Sequence, residues 1–345
     1  MEFLKKNWIK ILVLILCIVS IICVVLISNK SKTRNTNIET QLKKEKDNFR
    51  ESDGKNLGGG SSGQGNETYG KYDASASISE VTELQSIIDK TLNKFKQLEF
   101  NDEQNGNVLS YNLFEPNNYD SNKSYPLVIF IADSTTIGQD TIASLKQGYG
   151  GIIWAEEKEQ EKHECFVLVP EYKGIIIDNN LNVTSELEST VNLINLLKEN
   201  YNINKSYITG QEMGGLATEY LIKQYPNMFS AALIIACEWN NYDVNLLRNQ
   251  KIFYVVSESD TNSSNSQNNL VKNLMINDIN VYSEVLDATL EDTEFADKIG
   301  NNAINCIKFK KGTILHQNIG RDAENIAVYD CVYKIDAIRD WLFNQ

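Results

Sequence analysis

The chain has 345 residues, of which 42% are hydrophobic and 23% are charged, so most of it can bury a core of ordinary globular composition. Its formal net charge of −13 argues against nucleic acid or an anionic membrane surface as the main partner. Six cysteines without a CxxC pair and only two histidines give no zinc-binding pattern. We therefore expect neither a metal nor an organic cofactor.

The N-terminal segment predicts a membrane anchor. Residues 11–28 form an apolar run without a charge, and the apolar residues just before it bring the span to the roughly 20 residues that a tilted transmembrane helix needs. Lysines precede the run, as in a cytoplasmic n-region, and no A-x-A cleavage site follows it. We expect a cytoplasmic n-region at residues 1–10 and an uncleaved signal anchor at residues 11–29, with the remainder outside the cell. Basic residues also follow the run, which leaves the orientation open.

The segment from residue 30 to residue 75 predicts a linker. It is polar and charged, and it contains the sequence GGGSSGQG at residues 58–65. Such a composition buries too little apolar area to offset the entropy of ordering the chain, so we expect a disordered spacer. A folded domain at residues 76–345 follows, and an amphipathic segment near residues 81–95 predicts a helix at its entrance.

Strand and helix patterns alternate along the domain. Strands are expected at residues 108–114, 127–131, 166–169, 206–209, 231–236, 252–256, 281–285 and 303–309. Helices are expected from Ser185, with a capping box to Glu188, and at residues 213–223, 268–276 and 329–343. Alternation of this kind predicts an α/β fold with a mostly parallel, doubly wound sheet.

The downstream cysteines are scattered singly through this pattern. Three of the four lie in strand-like text, which favours buried free thiols. A disulfide between Cys306 and Cys331 is left open, because sequence alone cannot place two side chains at bonding distance.

One glycine-flanked motif has the context of a nucleophile elbow. Gly210-Gln211-Glu212-Met213-Gly214 lies between a predicted strand and a predicted helix. The central residue of an elbow occupies a cramped turn, so the residues two before and two after it must be small. Its side chain then projects at the N-terminus of the following helix. A serine hydrolase carries serine at that centre, whereas this chain carries Glu212.

Several further segments carry a resemblance to a known family. They are YNLFEP at residues 111–116, YPLV at 125–128, KHECFVLVP at 162–170, the elbow followed by Tyr225-Pro226, and the ending at 333–343. Together they resemble the secreted esterases and peptidase-like hydrolases related to polyhydroxybutyrate depolymerases and prolyl oligopeptidases. The resemblance covers about residues 95–345 and implies an α/β-hydrolase fold descended from a Ser-Asp-His hydrolase.

The resemblance also assigns site positions. The family's serine falls on Glu212, its acid on Asp260, and its histidine on Asn325, in a loop before the last helix. The oxyanion loop has Ala-Asp-Ser at residues 132–134. The backbone N–H of Met213 needs no particular side chain to serve as an oxyanion donor. Two of the three triad positions thus carry the wrong residue type.

Alternatives remain for two of these positions. His316 lies nine residues before Asn325 in the same predicted loop and is the alternative histidine. Asp260 also fits a simple polar cap at a strand end. His163, the second histidine, precedes a strand at the end of the sheet away from the elbow and is expected to be structural.

These losses predict an inactive pseudohydrolase on the cell surface, membrane-anchored by a single span, whose old pocket binds a peptide, ester or protein ligand. A carboxylate is a poor nucleophile toward esters, and attack without the histidine is slower by orders of magnitude. The pocket carboxylate would suit a cationic group. The alternative is an active esterase or peptidase that uses Glu212 or His316, and a third hypothesis is an adhesive domain without a functional pocket.

Overall fold

The computed structural model describes residues 78–239, 243–314 and 324–345, excluding the side chains of residues 78–82 and Asn325. The predicted n-region, anchor and linker lie outside the described residues, and so does His316. No helix in the part of the chain that the structure describes is both long and apolar enough to cross a membrane.

A nine-stranded sheet forms the centre of the described domain, in the order β1-β2-β4-β3-β5-β6-β7-β9-β8. The strands are β1 Lys96–Asp102, β2 Asn107–Phe114, β3 Tyr125–Ile131, β4 Phe166–Glu171, β5 Ile203–Gln211, β6 Ala231–Ile235, β7 Ile252–Ser257, β8 Tyr282–Leu286 and β9 Ile304–Phe309. β2 is antiparallel to both β1 and β4, and every other neighbouring pair is parallel. The predicted mostly parallel sheet is confirmed.

Helices pack on both faces of this sheet. They are α1 Ile78–Thr91, α2 Ala143–Lys146, α3 Tyr149–Ile152, α4 Glu157–Lys162, α5 Ser185–Asn200, α6 Met213–Gln224, α7 Thr261–Ile276, α8 Asp292–Ile299, α9 Glu324–Lys334 and α10 Asp336–Phe343. One apolar cluster lies against α5, α6 and α7, and a second lies against α1, α3, α8, α9 and α10. Two cores separated by one sheet make a doubly wound α/β domain.

The central strands are buried on both faces, which explains their continuous apolar sequences. All but one of the seven residues of β3 are buried, and all six residues of β4 are buried. The edge strand β1 is different, because five of its seven residues are exposed. Its sequence has no apolar run, and the sequence analysis did not predict it.

The predicted closing helix is two helices. The chain is extended at Ile335, with φ −77° and ψ 109°, and this residue separates α9 from α10. The Arg339 guanidinium donates to the carbonyl oxygen of Tyr333, a terminal acceptor of α9. The same arginine forms a buried ion pair with Glu159, at 2.8 Å from Nε to Oε2. The break is therefore stabilised by a side chain from the second helix.

One smaller prediction is wrong, and one alternative that the sequence left open is decided. Thr184, and not Ser185, caps α5, and it makes no side-chain hydrogen bond to the helix. Glu188 instead accepts a hydrogen bond from the Tyr225 hydroxyl at 2.6 Å, so the predicted capping box does not form. Cys306 is a buried free thiol, so it is not joined to Cys331, and burial raises its pKa to about 12.

Candidate functional site

Glu212 occupies a strained turn between β5 and α6. Its backbone has φ 49° and ψ −113°, a conformation that a residue with a side chain rarely adopts. The glycines on either side permit the turn. A Cβ on Gly210 would overlap the backbone of Gly214, and a Cβ on Gly214 would overlap the carbonyl group of Ile131. The geometry is that of a strand–turn–helix elbow.

The carboxylate of Glu212 binds the backbone on the opposite side of the site. Its Oε2 accepts a hydrogen bond from the Ser134 N–H at 3.1 Å. Ser134 belongs to a segment that follows β3 and includes α2, which we call the Ser134 loop (residues 132–147). In α/β hydrolases an N–H from the loop after this strand is one of the two donors to the oxyanion. In this chain the Ser134 N–H of that loop donates to a carboxylate of the protein itself.

Asp133 holds the Ser134 loop in place. This carboxylate is only 6% exposed. It accepts hydrogen bonds from Thr135 N at 2.8 Å and Thr135 Oγ1 at 2.5 Å. It also accepts from Gln147 Nε2 and, at 3.1 Å, from Gln211 Nε2. Since Gln211 directly precedes Glu212, the network ties the loop to the elbow. Neither glutamine was singled out from the sequence, because nothing in their local pattern marks such a long-range contact.

Asp260 caps α7. Its carboxylate accepts from Asn262 N at 3.1 Å, Ser263 N at 3.2 Å and Ser263 Oγ at 2.6 Å. These contacts match the polar-cap alternative. The residue follows β7 and is half-buried, so it still contributes negative charge to this end of the sheet.

Tyr329 lies near the carboxylates described above, and no sequence pattern predicts it as a site residue. This half-buried residue belongs to α9. Burial raises the pKa of its hydroxyl far above the ordinary value. Nearby negative charges raise the same pKa further, namely those of Asp133, Glu212 and Asp260. Three carboxylates thus lie near enough to act on one phenol, and this end of the sheet carries negative charge.

The predicted histidine position lies in a helix and not in a loop. Asn325 is the second residue of α9, in its first turn and four residues before Tyr329. Glu324, which is 7% exposed, begins that helix and accepts hydrogen bonds from Gly312 N at 2.8 Å and from Ser259 Oγ. These bonds place the start of α9 beside the ends of β7 and β9. Because Glu324 is buried and hydrogen-bonded at the start of α9, this helix begins earlier than predicted.

The remaining predicted residues are positioned as follows. Met213 is the first residue of α6, directly after Glu212, and is 5% exposed. His163 lies before β4, where its Nδ1 is 2.9 Å from Glu159 Oε1 and its ring stacks on Phe343. No three His, Cys, Asp or Glu side chains of the described ranges are arranged to hold a metal ion.

Comparison with known proteins identifies the fold. No family model matches the chain, and no curated protein matches it. A thermostable esterase has a similar structure, with a TM-score of 0.61 and 23% identity over 74% of this chain and 64% of the esterase. The chain thus spans less than two thirds of that esterase's length. A ferulic acid esterase matches with a TM-score of 0.47 and 11% identity, over 71% of this chain and 98% of its own.

An IroE-like serine hydrolase from Shewanella oneidensis also matches, with a TM-score of 0.41 and 12% identity over 69% of this chain and 79% of its own. The similarity to the thermostable esterase, together with the sheet order and the elbow, shows that the domain has the α/β-hydrolase fold.

Proposed function

We propose that this protein is a membrane-anchored pseudohydrolase whose α/β-hydrolase domain, outside the cell, binds a ligand in the pocket above the elbow without cleaving it. The hydrogen bond from the Ser134 N–H to Glu212 Oε2, at 3.1 Å, carries the proposal. In a hydrolase the N–H at this position would donate to the oxyanion of the substrate. Here it donates to a carboxylate of the protein itself.

Ester or amide hydrolysis needs groups that this site lacks or has committed elsewhere. The residue at the elbow must attack a carbonyl carbon, and a carboxylate does so poorly. The carbonyl oxygen must also receive N–H donors as it becomes negative. In this site it would compete with Glu212 for Ser134 N–H, beside a charge of the same sign. Both requirements oppose acyl transfer.

The charge of the pocket favours a cationic ligand group. Three carboxylates act on Tyr329, and Glu212 uses only one oxygen in a hydrogen bond with the described residues. An ammonium or guanidinium group can bind the second oxygen with a charge-assisted hydrogen bond. A lysine or arginine side chain of a peptide or protein is the ligand class that fits best, since the predicted anchor and linker place the domain where such partners are available.

Peptide binding to the full-length protein in detergent tests this assignment. A short capped peptide with one lysine is titrated calorimetrically beside the same peptide with acetyl-lysine. We expect the lysine peptide to bind more tightly than the acetyl-lysine peptide. Glu212→Gln should lower the affinity for the lysine peptide about tenfold, because a charged hydrogen bond is lost. Glu164→Gln, an exposed carboxylate before β4, is the matched control and should change nothing.

Equal affinity for both peptides, or an unchanged affinity in Glu212→Gln, contradicts the ligand class. The alternative function, an esterase or peptidase that uses Glu212 or His316, draws on the similarity to the thermostable esterase. It predicts turnover of an ester substrate, which the binding proposal does not.

A further inference from the structure

A buried polar cluster lies beneath the Ser134 loop. Glu171, the last residue of β4, is 5% exposed, and Ser144 of α2 is 1% exposed. Asn112 of β2 pairs with Val169 of β4, and Glu171 lies two residues further along β4, on the same face of the sheet. The Asn112 amide donates to the carbonyl oxygen of Thr141 at 2.5 Å, so the loop covers this face.

The cluster contains buried polar atoms without a hydrogen-bond partner. Both carboxyl oxygens of Glu171, the hydroxyl oxygen of Ser144 and Oδ1 of Asn112 are buried without a hydrogen-bond partner. Buried polar atoms in folded proteins are nearly always paired. An ionised carboxylate only accepts hydrogen bonds, whereas a carboxylic acid also supplies one O–H donor. A proton on Glu171 therefore provides a donor for Ser144 Oγ or Asn112 Oδ1.

The surroundings of Glu171 favour that proton. Burial raises the pKa of the Glu171 carboxyl to about 7, and the charge of Asp140 raises it as well. The hydroxyls of Ser144 and Thr136 and the N–H of Ser144 lie near enough to lower this pKa without forming a hydrogen bond of good geometry, and their effect is weaker than that of burial. The adjacent Tyr172 is also titratable, and burial keeps its pKa above the ordinary range, so it stays neutral.

We propose that Glu171 is a pH-sensitive latch for the Ser134 loop: with its proton it fastens the loop to β4, and ionisation releases the loop. Thr136 and Ser144, near the two ends of the loop, both act on this carboxyl group. Between them the loop presents Ser134 N–H to Glu212. Glu171 is thus a positioning residue for the site, and this role does not depend on which ligand binds there.

Loop opening should release a proton. In the open loop Glu171 is hydrated and ionises near its ordinary value of 4.5, whereas in the closed loop its pKa is about 7. The closed form is therefore favoured at low pH. The free-energy advantage of the closed loop over the open loop declines as pH rises from about 4.5 to 7 and is constant above that range. Each unit of difference between the two pKa values changes the opening equilibrium about tenfold.

Amide hydrogen exchange of the full-length protein tests the latch. Exchange in residues 132–147 is measured at pH 5.0 and pH 7.5 and corrected for the intrinsic chemical rate. We expect the opening equilibrium of this loop to be at least about tenfold more favourable at pH 7.5 than at pH 5.0. Glu171→Gln, which is neutral at both pH values, should remove the difference and keep exchange slow. Glu164→Gln should behave as the wild type.

The proposal fails if the wild-type loop opens equally at both pH values, or if Glu171→Gln retains the wild-type difference. Should that variant not fold, Asp140→Asn gives a second test, because Asp140 is exposed. Removing its charge should move the midpoint of the opening transition to lower pH. An unmoved midpoint contradicts the latch. Loss of peptide affinity in Glu212→Gln without any change in loop exchange separates this proposal from the binding function.

Discussion

Glu212 keeps the strained backbone that an elbow nucleophile needs. Its φ of 49° belongs to a class of conformation that costs about 1–3 kcal/mol and persists only where the surrounding structure enforces it. The enforcing contacts are still present, since Gly210 and Gly214 leave no room for another turn. The frame of the elbow is therefore intact, with a glutamate side chain at its centre.

An intact frame predicts that activity can be restored by two substitutions. Glu212→Ser frees the Ser134 N–H and supplies a nucleophile, and Asn325→His supplies a base one helical turn before Tyr329. We expect the double variant to hydrolyse p-nitrophenyl acetate at least about tenfold faster than the wild type, because nucleophile and base together contribute orders of magnitude in rate.

Each single variant is the control and should remain at the rate of the wild type, since neither completes the pair. A folded double variant that stays inactive, together with a structure in which His316 contacts residue 212, would show that the histidine position was assigned to the wrong residue.

At the scale of the elements, the elbow depends on the close approach of α6 to β3. A methyl group on Gly214 would overlap the main chain at the end of β3, where side-chain movement brings no relief. We expect Gly214→Ala to lower the free energy of unfolding by about 2–3 kcal/mol, as overpacking does in tight interiors. Urea denaturation followed by circular dichroism measures the change.

Gly174→Ala is the matched control for that variant. A Cβ at Gly174 has no atom within 4 Å, and its backbone does not require positive φ. The free energy of unfolding of Gly174→Ala should stay within about 0.5 kcal/mol of the wild-type value. Equal effects of the two substitutions would mean that the approach of α6 to β3 is less tight than described.

The sequence predicts the parallel strands well for a physical reason. Strands such as β3 and β4 are buried on both faces, so their sequences are apolar throughout and stand out against the helices. The edge strand β1 has no such signal, because its pairing with β2 is made by the backbone of mostly exposed residues. Backbone pairing of this kind leaves little trace in a single sequence.

The site likewise contains residues that a local sequence pattern predicts and residues that it does not. The elbow is recognisable because its glycines are a local requirement of the turn, at fixed distances from Glu212. Contacts between distant segments bring three further residues to the site, Gln147, Gln211 and Tyr329. No local sequence pattern indicates them. Glu171 is similar, because its burial under the Ser134 loop, and not its neighbours in sequence, makes it unusual.

At the scale of the whole molecule, the chain combines an acidic domain with a predicted anchor and spacer. The predicted linker at residues 30–75 would have an end-to-end distance of roughly 35–40 Å if it behaves as a Gly/Ser-rich coil. If the proposed anchor holds the domain at that distance from a membrane, the domain would reach partners at the cell surface. The formal net charge of −13 favours basic partners through long-range attraction. The charge near Glu212 and that of the whole chain thus have the same sign.

The proposed function requires that the site bind a ligand without hydrolysing it. The most direct measurement is the release of p-nitrophenol from p-nitrophenyl acetate and butyrate by the purified full-length protein, compared with buffer alone. We expect the same rate as in buffer for the wild type and for Glu212→Gln and His316→Ala. Turnover above the buffer rate that disappears in either variant would contradict it, and would identify the protein as a working hydrolase.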